Sequence, residues 1–293
     1  MFGKKDAQGA DGGGGNLSIA EKDQLEQKEL QDAMKRIRHK IVVLSGKGGV
    51  GKSTVAVSLA QMLLKKGFRV GLLDVDIHGP SVPKLLGIEK SQFLADEEGK
   101  LLPIINGEGM KVMSVGFLLQ NTEDPVIWRG PLKYGLIKQF LKDVLWDELD
   151  YLVIDSPPGT GDEPLSVCQL IENPEGAVIV TTPQEVAIID VKKSISFCRK
   201  LNLPVIGVVE NMSGFICPHC GERVDIFKSG GGKKMAEEMG VPFLGVIPLD
   251  ASLAEKADSG QSMVTDTAKD QSPVQTALWS ILDKILENKG VKS

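Results

Sequence analysis

Gly46-Lys47-Gly48-Gly49-Val50-Gly51-Lys52-Ser53-Thr54 decides how the rest of the chain is read. It follows the apolar, β-branched run Ile41 to Leu44 and leads into Val55-Ala56-Val57-Ser58-Leu59-Ala60, which reads as a helix. A buried strand, a glycine turn and a helix N-terminus in that order bring backbone N–H groups and the helix dipole onto one anion. Gly46, Gly51, Lys52 and Ser53 meet the spacing G-x-x-x-x-G-K-[ST] of a P-loop. The glycines let the backbone approach oxygens, Lys52 offers a point charge, and Ser53 supplies a hydroxyl for Mg²⁺. A glycine turn that merely joins strand to helix has no need of the whole spacing. The expected ligand is therefore a nucleoside triphosphate, cradled by residues 46 to 54.

Downstream runs extend the pattern. Arg69 to Leu73 predict a second buried strand, ending at Asp74-Val75-Asp76-Ile77-His78-Gly79-Pro80-Ser81. Acids at the C-terminal end of a strand beside a phosphate loop sit where α/β sheets bind ligands, so Asp74 and Asp76 are expected to face the nucleotide. Capping of a turn or helix is the competing role for both, and His78 reads as a turn residue. Tyr151-Leu152-Val153-Ile154-Asp155 is a further apolar strand ending in an acid, the Walker B position that holds Mg²⁺ mainly through water. Ser156-Pro157-Pro158-Gly159-Thr160-Gly161-Asp162 follows it, and Gly159 after two prolines offers backbone to a γ-phosphate, as a switch segment does. Strands are also predicted at Ala177 to Thr181 and Val205 to Val209, separated by a helix around Glu185 to Leu201. Residues 92 to 117 read as an inserted β-hairpin turning at Asn106-Gly107-Glu108-Gly109. Trp128-Arg129-Gly130-Pro131 opens an amphipathic helix to about Trp146, with Arg129 facing phosphate, a partner chain or an ordinary salt bridge. The expected fold is α/β: a mostly parallel, doubly wound sheet flanked by helices, with the loop and the acids at the strands' C-terminal ends.

Composition bounds the partners. The chain has 293 residues, 42% of them hydrophobic, enough for a large core, and a net charge of −5 argues against nucleic acid and anionic membranes. It contains no uninterrupted apolar run of about 18 residues and no apolar signal core at the N-terminus, so a soluble, cytoplasmic protein is expected. Gly12 to Gly15 lie in a polar tail, and Ile19 to Arg38 carry Leu30, Met34 and Ile37 at helical spacing. The division expected is a tail and surface helix over 1–37 and a single P-loop domain over 38–293. A cysteine-bearing loop lies at 214–227. The amphipathic stretch Ala277 to Leu286 has mixed charge, which fits docking on the protein's own core better than on a membrane.

Of four cysteines, Cys168 and Cys198 fall in predicted helices and are expected to pack as small apolar groups. Cys217-Pro218-His219-Cys220-Gly221 lies in a loop after the Val205 strand. Two thiolates at this spacing grip one edge of a metal centre but supply only half of the usual ligand set. In a two-fold dimer the same loop meets itself, and two plus two cysteines complete a shared site. Half of a zinc knuckle within one chain, and an unliganded pair, are the alternatives; no helix opens at the motif as a thioredoxin-like redox pair would require.

Lys47, a second lysine inside the loop, resembles the deviant Walker A loop of the MinD/ParA/nitrogenase-iron-protein group. That resemblance implies a homodimer in which Lys47 reaches the partner's nucleotide. It further implies that Asp76 orients the attacking water while Asp74 serves the metal's water shell, that Asn211 recognises adenine, and that Pro248 with Asp250 closes the base's other side. Together with Ile216-Cys217-Pro218-His219-Cys220-Gly221, the loop and switch motifs resemble the Mrp/ApbC family of iron-sulfur cluster carriers over roughly residues 38 to 285. What this implies is an ATPase homodimer that holds a 4Fe-4S cluster between the Cys217 and Cys220 pairs. Such a dimer receives the cluster from an assembly scaffold and passes it to apo-proteins. Lys47, Lys52 and Asp76 are then the catalytic set, and Ser53, Asp74 and Asp155 the magnesium set. Two other functions stay open: a MinD/ParA-like positioning ATPase, and an electron-transfer ATPase resembling the nitrogenase iron protein.

Overall fold

The strand that carries the phosphate loop lies inside a sheet, covered on both sides. In the computed structural model, residues 18–118, 130–217, 219–226, 229–265 and 272–288 are described; the Gly12–Gly15 tail, Trp128, Arg129, Pro218 and Phe227 lie outside them. The strands are β1 (Ile37–Ser45), β2 (Val70–Asp74), β3 (Ile104–Ile105), β4 (Lys111–Ser114), β5 (Leu149–Asp155), β6 (Gly176–Thr181), β7 (Val205–Glu210), β8 (Phe215–Ile216), β9 (Arg223–Val224) and β10 (Phe243–Val246). The helices are α1 (Ile19–Lys35), α2 (Lys52–Lys65), α3 (Val82–Leu85), α4 (Gly130–Lys142), α5 (Asp162–Leu170), α6 (Glu185–Lys200), α7 (Gly231–Glu238), α8 (Ala251–Asp258) and α9 (Pro273–Glu287). The main sheet has the order β10-β7-β6-β1-β5-β2-β4-β3 and is parallel except for the edge pair β3–β4.

Side chains alternate across a strand, so a sheet covered on both faces needs apolar residues at nearly every position. In β1, Ile41 and Val43 pack on one face with α2, α8 and α9, whereas Val42 and Leu44 pack on the other with α1, α4, α5, α6 and α7. The chain crosses from β1 to β2 on one face and returns past β1 to β6 on the other, so the strand order reverses beside β1. That is where an open α/β sheet leaves a crevice at its carboxyl edge. The doubly wound expectation holds.

The residues 92–117 do form a hairpin, with Ile104 opposite Val112, but it is no appendage: β4 pairs in parallel with β2 and extends the main sheet. α4 stops at Lys142 rather than near Trp146, because Val144 enters a bridge to Leu101 and Trp146 buries its ring while donating Nε1–H to the Phe140 carbonyl. α1 is capped by a reciprocal Ser18–Glu21 box and buries Leu30 and Met34. α9 buries Val274, Leu278, Ile281, Leu282 and Ile285 in the core, each large side chain contributing roughly 1.5–3 kcal/mol of transfer free energy. The C-terminal apolar stripe is thereby spent inside the molecule. No helix among the described residues is long and apolar enough to cross a membrane.

Candidate functional site

At the carboxyl end of β1 the chain turns through Gly46 to Gly51 into α2, whose N-cap is Gly51 itself at φ +80°. An L side chain resists that angle, and a Cβ here would lie 2.2 Å from Asn211 Nδ2. The loop borders a cleft of about 420 Å³ together with Ser45, Asp76, His78, Gly79, Ser81, Leu85 and Pro158. Lys47 to Gly49 and Gly51 to Thr54 all line it.

Three carboxylates converge on Lys52. Asp74 and Asp155 are register partners at the ends of the adjacent strands β2 and β5. Lys52 Nζ lies 2.5 Å from Asp155 Oδ1 and 3.4 Å from Asp76 Oδ2, at 6% exposure. Burial works against the ammonium charge, but Asp155, Asp76 and Asp74 hold its pKa above the ordinary lysine value. One lysine cannot neutralise three acids, and the surplus falls on Asp74. Burial and the neighbouring Asp155 push its carboxyl up to about 8, against the opposing pull of Lys52. Asp74 is fully engaged: it accepts from Asp76 N at 3.1 Å, Ser114 Oγ at 2.9 Å and Val82 N at 3.4 Å. It thus braces the segment that carries Asp76, and Ser114, on the hairpin, braces Asp74.

Asp76 Oδ1, Asp155 Oδ2 and Ser156 Oγ are buried without hydrogen-bond partners among the described residues. Burial pushes the Asp155 carboxyl above the ordinary range, against the opposing pull of Lys52 and the Ser53 hydroxyl. Unspent hard oxygen ligands beside a hydroxyl and a phosphate cradle fit a hydrated divalent cation such as Mg²⁺. Lys47 lines the cleft yet makes no ion pair among the described residues, in contrast with Lys52. Gly159 N–H donates to Ser45 O at 2.8 Å, so contact with a γ-phosphate requires it to leave that carbonyl.

Asn211, just beyond β7, is 6% exposed and donates from Nδ2 to Val50 O at 3.0 Å. Residues 247–249 run alongside it through Ile247 N to Glu210 O, Ser213 N to Ile247 O and Leu249 N to Gly214 O, which brings Pro248 to the same end of the sheet. Asp250 caps α8 through Leu253 N at 3.1 Å. None of Gly159, Asn211, Pro248 and Asp250 borders the phosphate cleft itself. His78 lies in a turn, as expected, but it also pairs through Nε2 with Glu163 Oε1 at 3.0 Å, and Lys133 holds the same carboxylate oxygen. The hydrophobic pattern gave no sign of this cluster, because its members come from three separate elements.

Cys217 and His219 to Gly221 lie between the strands of a second, two-stranded ribbon, β8–β9, with Ile216 opposite Arg223. Cys217 N–H donates to Glu222 O, and Gly221 N–H to Cys217 O. Backbone N–H groups of Cys220 and His219 point at the Cys217 sulfur and hold its pKa below the ordinary thiol value. Such a turn favours thiolate, the form in which cysteine binds a soft metal. The pair is partly to fully exposed, and among the described residues no group of three or more His, Cys, Asp and Glu gathers to hold a metal. Cys168 and Cys198 stand apart, packed in the face beneath α5 and α6, and burial pushes both thiols up to about 12. A thiol with that pKa is ionised in about one molecule in ten thousand at pH 8. Iodoacetamide at pH 8 is therefore expected to label Cys217 at least about 100-fold faster than Cys168 or Cys198, as read by peptide mass spectrometry.

The ParA family model, described as the NUBPL iron-transfer P-loop NTPase, matches residues 36–286. An iron-sulfur cluster carrier protein of Methanocaldococcus jannaschii is 53% identical over 257 residues, 88% of either chain. A cytosolic Fe-S cluster assembly factor, CFD1 of Kluyveromyces lactis, is 49% identical over 267 residues, 88% of this chain and 93% of its own. Among solved structures, a nucleotide-binding protein from Archaeoglobus fulgidus in complex with ADP superimposes with a TM-score of 0.74 at 41% identity, covering 85% of this chain and 95% of that one. The cell division ATPase MinD of Pyrococcus furiosus shares the fold, at 23% identity and a TM-score of 0.63, over 85% of this chain and 98% of its own.

Proposed function

Because the chain belongs to the family of NUBPL-type iron-transfer P-loop NTPases, we propose that it is an ATP-hydrolysing carrier of iron-sulfur clusters that works as a homodimer in the cytoplasm. The cluster is cargo: a 4Fe-4S unit gripped by Cys217 and Cys220 of each chain, received from an assembly scaffold and released to apo-proteins. The observation that carries this reading is the half-complete donor set. Two thiols sit on an exposed turn, with no third ligand gathered beside them among the described residues. A second copy of the same turn supplies the missing two. A zinc site completed within one chain finds no such support.

Hydrolysis asks for positioning and charge rather than covalent chemistry. The loop N–H groups and the start of α2 bind the phosphates, Lys52 neutralises transferred charge from within, and Lys47, with no ion pair among the described residues, does so across the dimer. Asp76, braced by Asp74, holds the attacking water. Ser53 and Asp155 would hold Mg²⁺, the latter mainly through water, and the ion when bound would supply charge stabilisation at the phosphates. Asn211 exchanges its bond to Val50 for adenine, with Pro248 and Asp250 flanking the base. The domain boundary belongs to this reading too: residues 38–293 act as one unit, with the tail and α1 outside its chemistry.

Anaerobic purification followed by iron, sulfide and zinc analysis tests it. The expected result is about four irons and four sulfides per dimer with an iron-sulfur absorption spectrum. One metal ion per chain, or zinc without sulfide, would reject the shared cluster.

A further inference from the structure

Glu210 ends β7 fully buried, and no basic side chain pairs with it among the described residues. Its acceptors all go to one piece of the molecule. Oε1 accepts from Ser213 Oγ at 2.6 Å and from Gly230 N at 3.1 Å, while Oε2 accepts from Gly232 N at 2.5 Å. Ser213 is where the cysteine ribbon leaves the sheet, and Gly230 is where the chain re-enters as the N-cap of α7. One carboxylate oxygen therefore clasps both ends of the segment that presents Cys217 and Cys220. The fit is close: a Cβ on Gly232 would lie 2.8 Å from Oε2. The other end of the connection is the next residue, whose Nδ2 bonds the Val50 carbonyl inside the phosphate loop. Glu210 and Asn211 are consecutive, and Ile247 N to Glu210 O and Asn211 N to Thr181 O tie them into one strand end.

We propose that Glu210 is a positioning residue that couples the nucleotide loop to the cysteine ribbon within one chain. The inference rests on the carrier reading and specifies its regulation. When Asn211 gives up the Val50 carbonyl, the strand end it shares with Glu210 resets, and the clasp carries that change to both ribbon ends at once. Bonded networks carry coupling between sites, and the path here is three residues long: Val50, Asn211, Glu210. It works without the partner chain, so it is separable from any closure of the dimer.

The test uses the full chain, iodoacetamide labelling of Cys217 and Cys220, and calorimetric ATP binding on the same samples. In the wild type, MgATP is expected to change the labelling rate by about five-fold or more, the lower range of ordinary allosteric coupling. Glu210→Gln keeps the shape but replaces one acceptor oxygen by an amide donor. It is expected to bind ATP within about three-fold of wild type, since Glu210 does not border the cleft, and to shrink the labelling response below about two-fold. An undiminished response in Glu210→Gln overturns the proposal, as do wild-type thiols that ignore bound ATP. Should Glu210→Gln fail to fold by circular dichroism, Ser213→Ala removes a single bond of the clasp, and an unchanged response in that variant overturns the proposal equally. A wild type that binds no ATP would instead overturn the carrier ATPase reading, and the coupling with it.

Discussion

Lys52→Ala is expected to lower ATP turnover by about 10³-fold or more, and to destabilise the fold as well, which sets it apart from an ordinary surface-charge deletion. The ammonium sits at 6% exposure against Asp155, which is fully buried, with one oxygen that has no hydrogen-bond partner among the described residues. Removing one member of a buried ion pair costs about 3–5 kcal/mol when the other stays charged. Proton uptake by Asp155 reduces that figure, since burial already favours the neutral acid there. The double variant Lys52→Ala/Asp155→Asn is therefore expected to regain most of the unfolding free energy measured in urea, and none of the turnover. Return of both would assign Lys52 a purely structural role. Lys47→Ala provides the contrast: without an ion pair among the described residues to lose, it should leave stability within about 0.5 kcal/mol while slowing turnover.

The second large effect falls on the ribbon. Cys217→Ser and Cys220→Ser are each expected to take bound iron below about a tenth of the wild-type content, because a serine hydroxyl stays protonated where a thiolate would bind. In the shared site proposed above, either single change removes two of the four ligands, so the double variant should lose no more than each single one. Retention of half or more of the metal in either single variant would show that the substituted cysteine is not a ligand of it. The ribbon is exposed and bonded to itself mainly through backbone, so thermal stability should move little. ATP binding should survive, since neither cysteine borders the cleft.

Much of this was legible in the amino-acid order because the signals are local. Glycine spacing, a helix start and apolar runs ending in acids are each confined to a few residues, and Gly46 to Thr54, Asp74, Asp76 and Asp155 do meet at one end of the sheet. The family resemblance drawn from these motifs holds. What escaped depends on contacts between distant segments. That Asp74 braces Asp76 rather than standing open follows from Ser114 on β4, a strand whose place beside β2 no run of residues announces. Glu210 was invisible for the same reason: an acid closing an apolar strand looks like any other, until Gly230 and Gly232 fold back onto it. The end of α4 was overestimated because helical spacing continues to Trp146, while a single bridge between Leu101 and Val144 draws the chain away. The strand β10 gave no separate signal at four residues.

The two margins of the main sheet have a consequence for how copies of this chain can meet. One margin is the two-residue β3, running antiparallel; the other is β10, broken by an irregular register between Phe243 and Gly245. Neither offers a long, straight row of free amides on which a neighbour's strand could grow, so concentrated chains have no ready route to ribbon-like stacking. Association is thereby steered away from the flanks and toward the rim where the loops emerge. For the dimer proposed above, pairing through the cysteine turns leaves these margins protected from sticking side to side.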